Sequence, residues 1–149
     1  MNYRETMSRL NAALIKIDSA YEAVAKKHGL TFNALMMVYL MDEAEHVTQK
    51  QLCDALRLPK STVHSILLEF IKQGYATLAV GNNKKEKFIV ITAAGQRQFS
   101  KVMEETQALE NAVLDALGEE ACAFLADAAE TAGYLLTKQI AKTNDSEVK

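Results

Sequence analysis

The sequence predicts a mainly α fold with one small β-hairpin, and three observations carry that expectation. Apolar residues recur every three or four positions along most of the 149 residues, as they do on one face of an α-helix. One proline and six glycines leave long stretches free of helix breakers. Only between Tyr75 and Thr92 does the pattern shift, to two β-branched and aromatic runs, YATLAV and KFIVIT, around the polar segment GNNKKE, the signature of a hairpin.

From Tyr3 the apolar positions fall at Tyr3, Met7, Leu10, Leu14, Ile17, Tyr21 and Val24. Steps of four and three alternate, so a long amphipathic helix with a narrow seam is expected, ending at Gly29. Such a seam suits either its own core or a second subunit. Thr31 is placed to cap a second helix reaching about Glu43, whose LMMVYLM run leaves almost no polar face, as befits a helix at the centre. Thr48 and Gln51 have the spacing of a capping box and start a short helix over 49–56, with Leu52, Ala55 and Leu56 expected inward.

The residue before Pro59 is pushed out of the helical region, whereas Pro59 itself suits the opening of the next helix, expected from Lys60 to Gln73 and closed by Gly74. In the hairpin loop, Gly81, Asn82 and Asn83 tolerate the positive φ angles of a tight turn. Thr92 caps a long helix with Phe99, Val102, Met103, Thr106, Leu109, Val113, Ala116 and Leu117 on one face, stopped by Gly118. A last helix is expected from Glu119 to Ile140, and residues 142–149, KTNDSEVK, read as a frayed, flexible tail.

A chain with 49% apolar and 24% charged residues has the material for a real core. Its N-terminus lacks an apolar leader region, and the longest apolar run, FNALMMVYLM, is about half of what a bilayer span needs. A cytoplasmic protein without membrane contact is expected. Cys53 and Cys122 lie far apart, and His28, His46 and His64 are scattered, so neither a disulfide framework nor a zinc site is indicated and no cofactor is expected. No Ser-His-Asp, Cys-His, paired-carboxylate or Gly-rich phosphate motif stands out, which argues against an enzyme.

The net charge of -2 conceals an uneven distribution. Between Val47 and Thr92, seven Lys or Arg stand against three acids, for a net +4, and the remainder carries ten basic and sixteen acidic side chains, for a net -6. A basic middle within acidic flanks is a focused footprint for an anionic partner. On the helix after Pro59, residues Val63, Ile66, Leu67, Phe70 and Ile71 form one apolar stripe, which leaves Lys60, Ser61, Thr62, His64 and Ser65 on the first two exposed turns. Two short helices joined by a tight turn, the second presenting small polar donors, make a helix-turn-helix able to enter a DNA major groove. Lys60 and the free N–H groups of the first turn suit a phosphate.

The order of these elements resembles the MarR family of bacterial winged-helix transcription regulators over residues 3–140. GLTFNALMMVYL (29–40), VTQKQLCDALRLPKSTVHSIL (47–67), KQGY (72–75) and VITAAG (90–95) carry the resemblance. It implies a single MarR-like domain over 1–141, with a winged helix-turn-helix at 47–92 and dimerisation helices at 1–29 and 93–141. It also implies an obligate homodimer, two lobes set on successive major grooves of a pseudo-palindromic double-stranded DNA operator, and release of DNA by a small ligand or an oxidised cysteine. Carried over position by position, DNA contact falls on Lys60, Ser61, Thr62, His64 and Ser65 and on the wing tip at Asn83, Lys84 and Lys85. Family members often carry arginine at the position of Ser65 and an Asp-Arg pair at that of Asn83 and Lys84. Serine reaches less far than arginine, and lysine lacks the planar fork that reads guanine. The competing expectation is a winged-helix dimer that binds protein, or binds DNA with weak specificity.

Cys53 reads as a small core residue, with a redox switch as the sharper alternative that an adjacent positive group would favour. Met36, Met37, Tyr39 and Leu40 could line a crevice for a small aromatic or lipophilic effector, although a stripe of Met and Tyr on a helix is more often core.

Overall fold

The computed structural model describes residues 2–83 and 85–147. These form α1 (Tyr3–Lys27), α2 (Phe32–Glu43), β1 (Val47–Thr48), α3 (Gln49–Leu56), α4 (Lys60–Lys72), β2 (Ala76–Val80), β3 (Lys87–Ile91), α5 (Ala93–Leu117) and α6 (Glu119–Glu147). The chain divides into two compact units, Met1–Thr106 and Gln107–Lys149. The division falls inside α5, just after Thr106, the last residue of that helix to be buried.

The first unit holds the core. Its centre is α2, which buries Ala34, Met37, Val38 and Met41, as an almost wholly apolar helix must. The stripe Val63, Leu67 and Phe70 brings α4 onto the same cluster, and Leu52 adds α3. Phe99 of α5 packs its ring against Phe70 at 5.0 Å and Tyr75 at 5.7 Å between centroids. A smaller cluster of Val24, Ala25, Leu35 and Val102 ties the end of α1 to α2 and α5. Gly29 and Gly74, at φ of 73° and 78°, end α1 and α4 in the same way. In each case the glycine and the residue after it donate back to the last-turn carbonyls, Lys26 and Ala25 in one and Ile71 and Phe70 in the other.

Three strands make an antiparallel sheet in the order β1-β3-β2. β2 and β3 are the expected hairpin; β1 is an addition, pairing Val47 with Ile89 and Thr48 with Phe88. The hairpin loop corrects the sequence expectation, because none of Gly81, Asn82 and Asn83 has a positive φ. The loop is longer than a two-residue turn, so it closes instead with Gly81 N–H to Glu86 O and Glu86 N–H to Asn83 O, both at 2.9 Å. Gly81 is required for space, since a Cβ there would collide with the Phe88 ring. A second tight approach lies at the start of α5. Thr92 donates its hydroxyl to Gly74 O at 2.6 Å and accepts from Gly95 N–H at 3.0 Å, which draws Gly95 so close to the Tyr75 carbonyl that a Cβ would strike it.

Two further expectations are corrected. Ala55 is exposed, because α3 turns only Leu52 fully inward. α6 continues to Glu147, past the expected end at Ile140, because KTNDSE contains no Gly or Pro to stop it, and the Thr143 hydroxyl bonds to the carbonyls of Gln139 and Ile140. In the second unit no described residue is buried, and Leu109, Val113, Leu117, Phe124, Leu135 and Ile140 are all more than half exposed.

The Glu105 carboxylate clasps the end of α1, with Lys27 Nζ on one oxygen and His28 Nε2 on the other, each at 2.5 Å. The hydrogen bond from Lys27, and then that from His28, hold the Glu105 carboxyl below its ordinary value of 4.5. A depressed carboxylate contributes stability above its unfolded pKa and loses it as pH falls through the folded value. Urea denaturation should therefore find Glu105→Gln less stable than wild type near pH 6, with the difference shrinking on acidification below about pH 4.5. Gly95→Ala, which forces a methyl group onto the Tyr75 carbonyl, should lower stability by about 1–3 kcal/mol in the same measurement.

Candidate nucleic-acid interface

The helix-turn-helix is set by its caps. Thr48 N–H bonds to Gln51 Oε1 at 2.9 Å and Gln51 N–H to Thr48 Oγ1 at 3.1 Å, the expected capping box. α3 ends at Arg57, which takes the left-handed conformation at φ 54° and ψ 37°, a geometry that L-residues resist and glycine accepts. Leu58 N–H also returns to Cys53 O, and Pro59 opens α4. The Pro59 carbonyl accepts from Thr62 and Val63 N–H. No side chain caps this end, so the first backbone donors of α4 point out of the protein with the helix dipole behind them.

On the first two turns of α4, Lys60, Ser61, His64 and Ser65 are exposed and Thr62 is half-buried, while Val63 is fully buried. Among the described residues the hydroxyls of Ser61, Thr62 and Ser65 have no protein partner and remain available. His64 does have one: its Nδ1 lies 3.3 Å from Gln49 Oε1. A carbonyl oxygen facing Nδ1 favours the proton there and leaves the Nε2 lone pair outward. Gln49 Nε2 is buried without a partner.

The wing completes the surface. Lys85, Glu86 and Lys87 are exposed, and the Lys85 N–H bonds to the Asn83 side chain at 3.4 Å; Lys84 lies outside the described residues. Between wing, α3 and the start of α4 opens a cavity of about 640 Å³ lined by Thr48, Gln49, Lys50, Cys53, Lys60, Lys85, Glu86 and Lys87. The structure thus brings the predicted Lys60 and Lys85 together, and adds Lys50, Lys87 and Gln49, to which the sequence reading gave no role. Lys50 and Lys87 were visible as part of the basic segment. Their convergence was not, because it depends on β1 joining the wing to the start of α3.

Cys53 is half-buried, packing against the core and opening on this same cavity. Lys50, three positions before it, is joined at that cavity by Lys60, Lys85 and Lys87 from more distant parts of the chain. The four candidate effector residues go separate ways. Met37 is fully buried in the main core, Tyr39 and Leu40 lean against that core, and Met36 packs on the smaller cluster beside α1 and α5. Two cavities flanking α2 are lined by other residues, Val38 and Met41 in one and Phe32 and Asn33 in the other.

Comparison with known proteins places this geometry. No curated protein sequence matches the chain. Among solved structures, a MarR family regulator from Neisseria meningitidis is 19% identical, with 96% of this chain and 99% of that chain covered at a TM-score of 0.82. A MarR/EmrR family transcriptional regulator from Acinetobacter sp. ADP1 is 16% identical over 91% of this chain and 96% of its own, at 0.76. Staphylococcus aureus MarR, solved in complex with salicylate and kanamycin, is 16% identical over 91% and 92%, at 0.73. The fold is therefore that of the MarR regulators, and the model of the MarR family matches this sequence over residues 28–85, from the end of α1 to the tip of the wing.

Proposed function

We propose that the protein is a homodimeric, sequence-specific double-stranded DNA-binding transcriptional regulator, acting in the cytoplasm as a repressor and without catalysis. The observation that carries this reading is the face of Ser61, Thr62, His64 and Ser65 on the first turns of α4, its three hydroxyls without a partner among the described residues, beside a cavity lined by Lys50, Lys60, Lys85 and Lys87. Small side chains let the α4 backbone approach base edges, and the lysines neutralise the phosphates on either side. Gln49 Oε1, 3.3 Å from the His64 Nδ1, orients that ring on this face.

Dimerisation is supported by apolar side chains left in water. In α1, Tyr3 is 77% exposed and Ile15 66%; in α6, Phe124 is 75% and Ile140 61%. Surfaces of this kind mark protein interfaces. A two-fold operator follows from a two-fold protein. Relief by a small aromatic or lipophilic effector is supported by the salicylate bound to the Staphylococcus aureus MarR.

Selection from random duplexes should recover a two-fold site with half-sites about ten base pairs apart. If the dimer neutralises about six to ten phosphates, its affinity for that site should fall by roughly three to five decades between 50 and 200 mM salt. Lys60→Ala, which removes one lysine from each protomer, should weaken binding to all sequences and reduce the salt slope by about two. Recovery of no site, with salt-insensitive association, would instead indicate a protein-interaction module. Light scattering should give twice the chain mass, reduced to the chain mass by paired Leu125→Glu and Leu136→Glu substitutions.

A further inference from the structure

One apolar side chain of α4 has no seat in the core. Leu68 is 51% exposed, and it belongs neither to the two apolar clusters nor to the half-buried residues packed against them. Val63, Leu67 and Phe70 already seat the helix, with Ile66 and Ile71 leaning on the same cluster. The exposed apolar side chains that support a second subunit lie on other helices, α1 and α6.

The position of Leu68 around α4 is that of the candidate interface. At about 100° per residue, Leu68 comes within about 20° of Ser61, about 40° of His64 and about 60° of Ser65. Ser61, His64, Ser65 and Leu68 are therefore the i, i+3, i+4 and i+7 positions of one face, and all four are exposed. A recognition helix uses such a face to bring three or four side chains to base edges. Lys72, also exposed, continues the face by one more turn with a charge that suits a phosphate. Leu68 lies about 10 Å along the axis from Ser61, the rise of about three base pairs for a helix that follows the groove.

The four side chains differ in what they can read. A serine hydroxyl donates or accepts, so Ser61 and Ser65 meet any base edge and discriminate little. Leucine does neither. Pressed onto amino or carbonyl groups it would displace their water and return no hydrogen bond, which is costly. The apolar group on the major-groove edge of DNA is the C5-methyl of thymine. On the reading of α4 as a DNA-recognition helix, we infer that Leu68 is a specificity-determining residue that selects thymine by packing on this methyl group, about three base pairs from the pair met by Ser61. The methyl belongs to one strand, so the contact separates T·A from A·T as well as from both G·C orientations. Each protomer carries one Leu68, and a two-fold operator therefore holds this thymine once in each half-site.

The test removes the methyl group and nothing else from the duplex. Each thymine of the operator selected by the full chain is replaced in turn by deoxyuridine, in one half-site and then in both, and affinity is read by fluorescence anisotropy at fixed salt. At one position per half-site, wild-type binding should weaken by about fourfold for one replacement and about fifteenfold for two. Leu68→Ala, an exposed helical position at which alanine is favoured, should bind the thymine and uracil duplexes alike. Each comparison is a ratio within one variant, so a change in overall affinity cancels. Wild-type binding that is indifferent to every thymine methyl, or a sensitive thymine whose effect persists undiminished in Leu68→Ala, would overturn the assignment and leave the DNA-binding reading in place. Failure of the wild type to bind any duplex would overturn both.

Discussion

The candidate interface depends on a two-residue strand. Val47 and Thr48 pair with Ile89 and Phe88, and the same Thr48 then caps α3. One short segment therefore fixes the root of the wing and the start of the helix-turn-helix to each other. The buried Val47 and Ile89 side chains hold the pairing from beneath. Because of it, lysines from α3, α4 and β3, separated by up to 37 positions between Lys50 and Lys87, line one cavity instead of three surfaces. Without it the hairpin would be a two-stranded ribbon, which is only marginally stable alone.

Much of this was legible because local chemistry and tertiary packing agree. The Thr48 and Gln51 box, the restriction before Pro59 and the stripe on α4 each act within a few residues, and each appears where its spacing predicts. What stayed hidden depends on long-range contacts. β1 is too short to show any periodicity, and its pairing is with a strand some 40 residues later. Gly81 and Gly95 illustrate a different limit. Sequence presents a glycine as conformational freedom, whereas both positions here answer to the Phe88 ring and the Tyr75 carbonyl lying against them, which only the folded chain reveals. Ala55 fell on the wrong side because α3 meets the core through Leu52, Cys53 and Leu56, which leaves Ala55 facing outward.

The same distinction separates the two units. In the first, apolar periodicity and burial coincide, and α5 shows this up to Thr106. Beyond that residue the apolar pattern continues unchanged while burial stops. A sequence cannot say whether a stripe is covered by its own chain or by another, because the side chains that satisfy either are the same. The seam of α1 shares this ambiguity, with Val24 and Ala25 buried at one end and Tyr3 and Met7 exposed at the other.

The left-handed Arg57 has a consequence for how rigidly this surface is phased. Each residue of a helix advances it by about 100°, so inserting or deleting one position in the Arg57–Leu58–Pro59 connection would swing the hydroxyl face of α4 through more than a quarter turn unless Val63, Leu67 and Phe70 gave up their seats. The connection is thus a fixed angular setting, with the arginine's strained backbone as its stop. What this surface presents can then change through the side chains carried on α4, while the angle at which they are presented stays set by the three-residue connection before them.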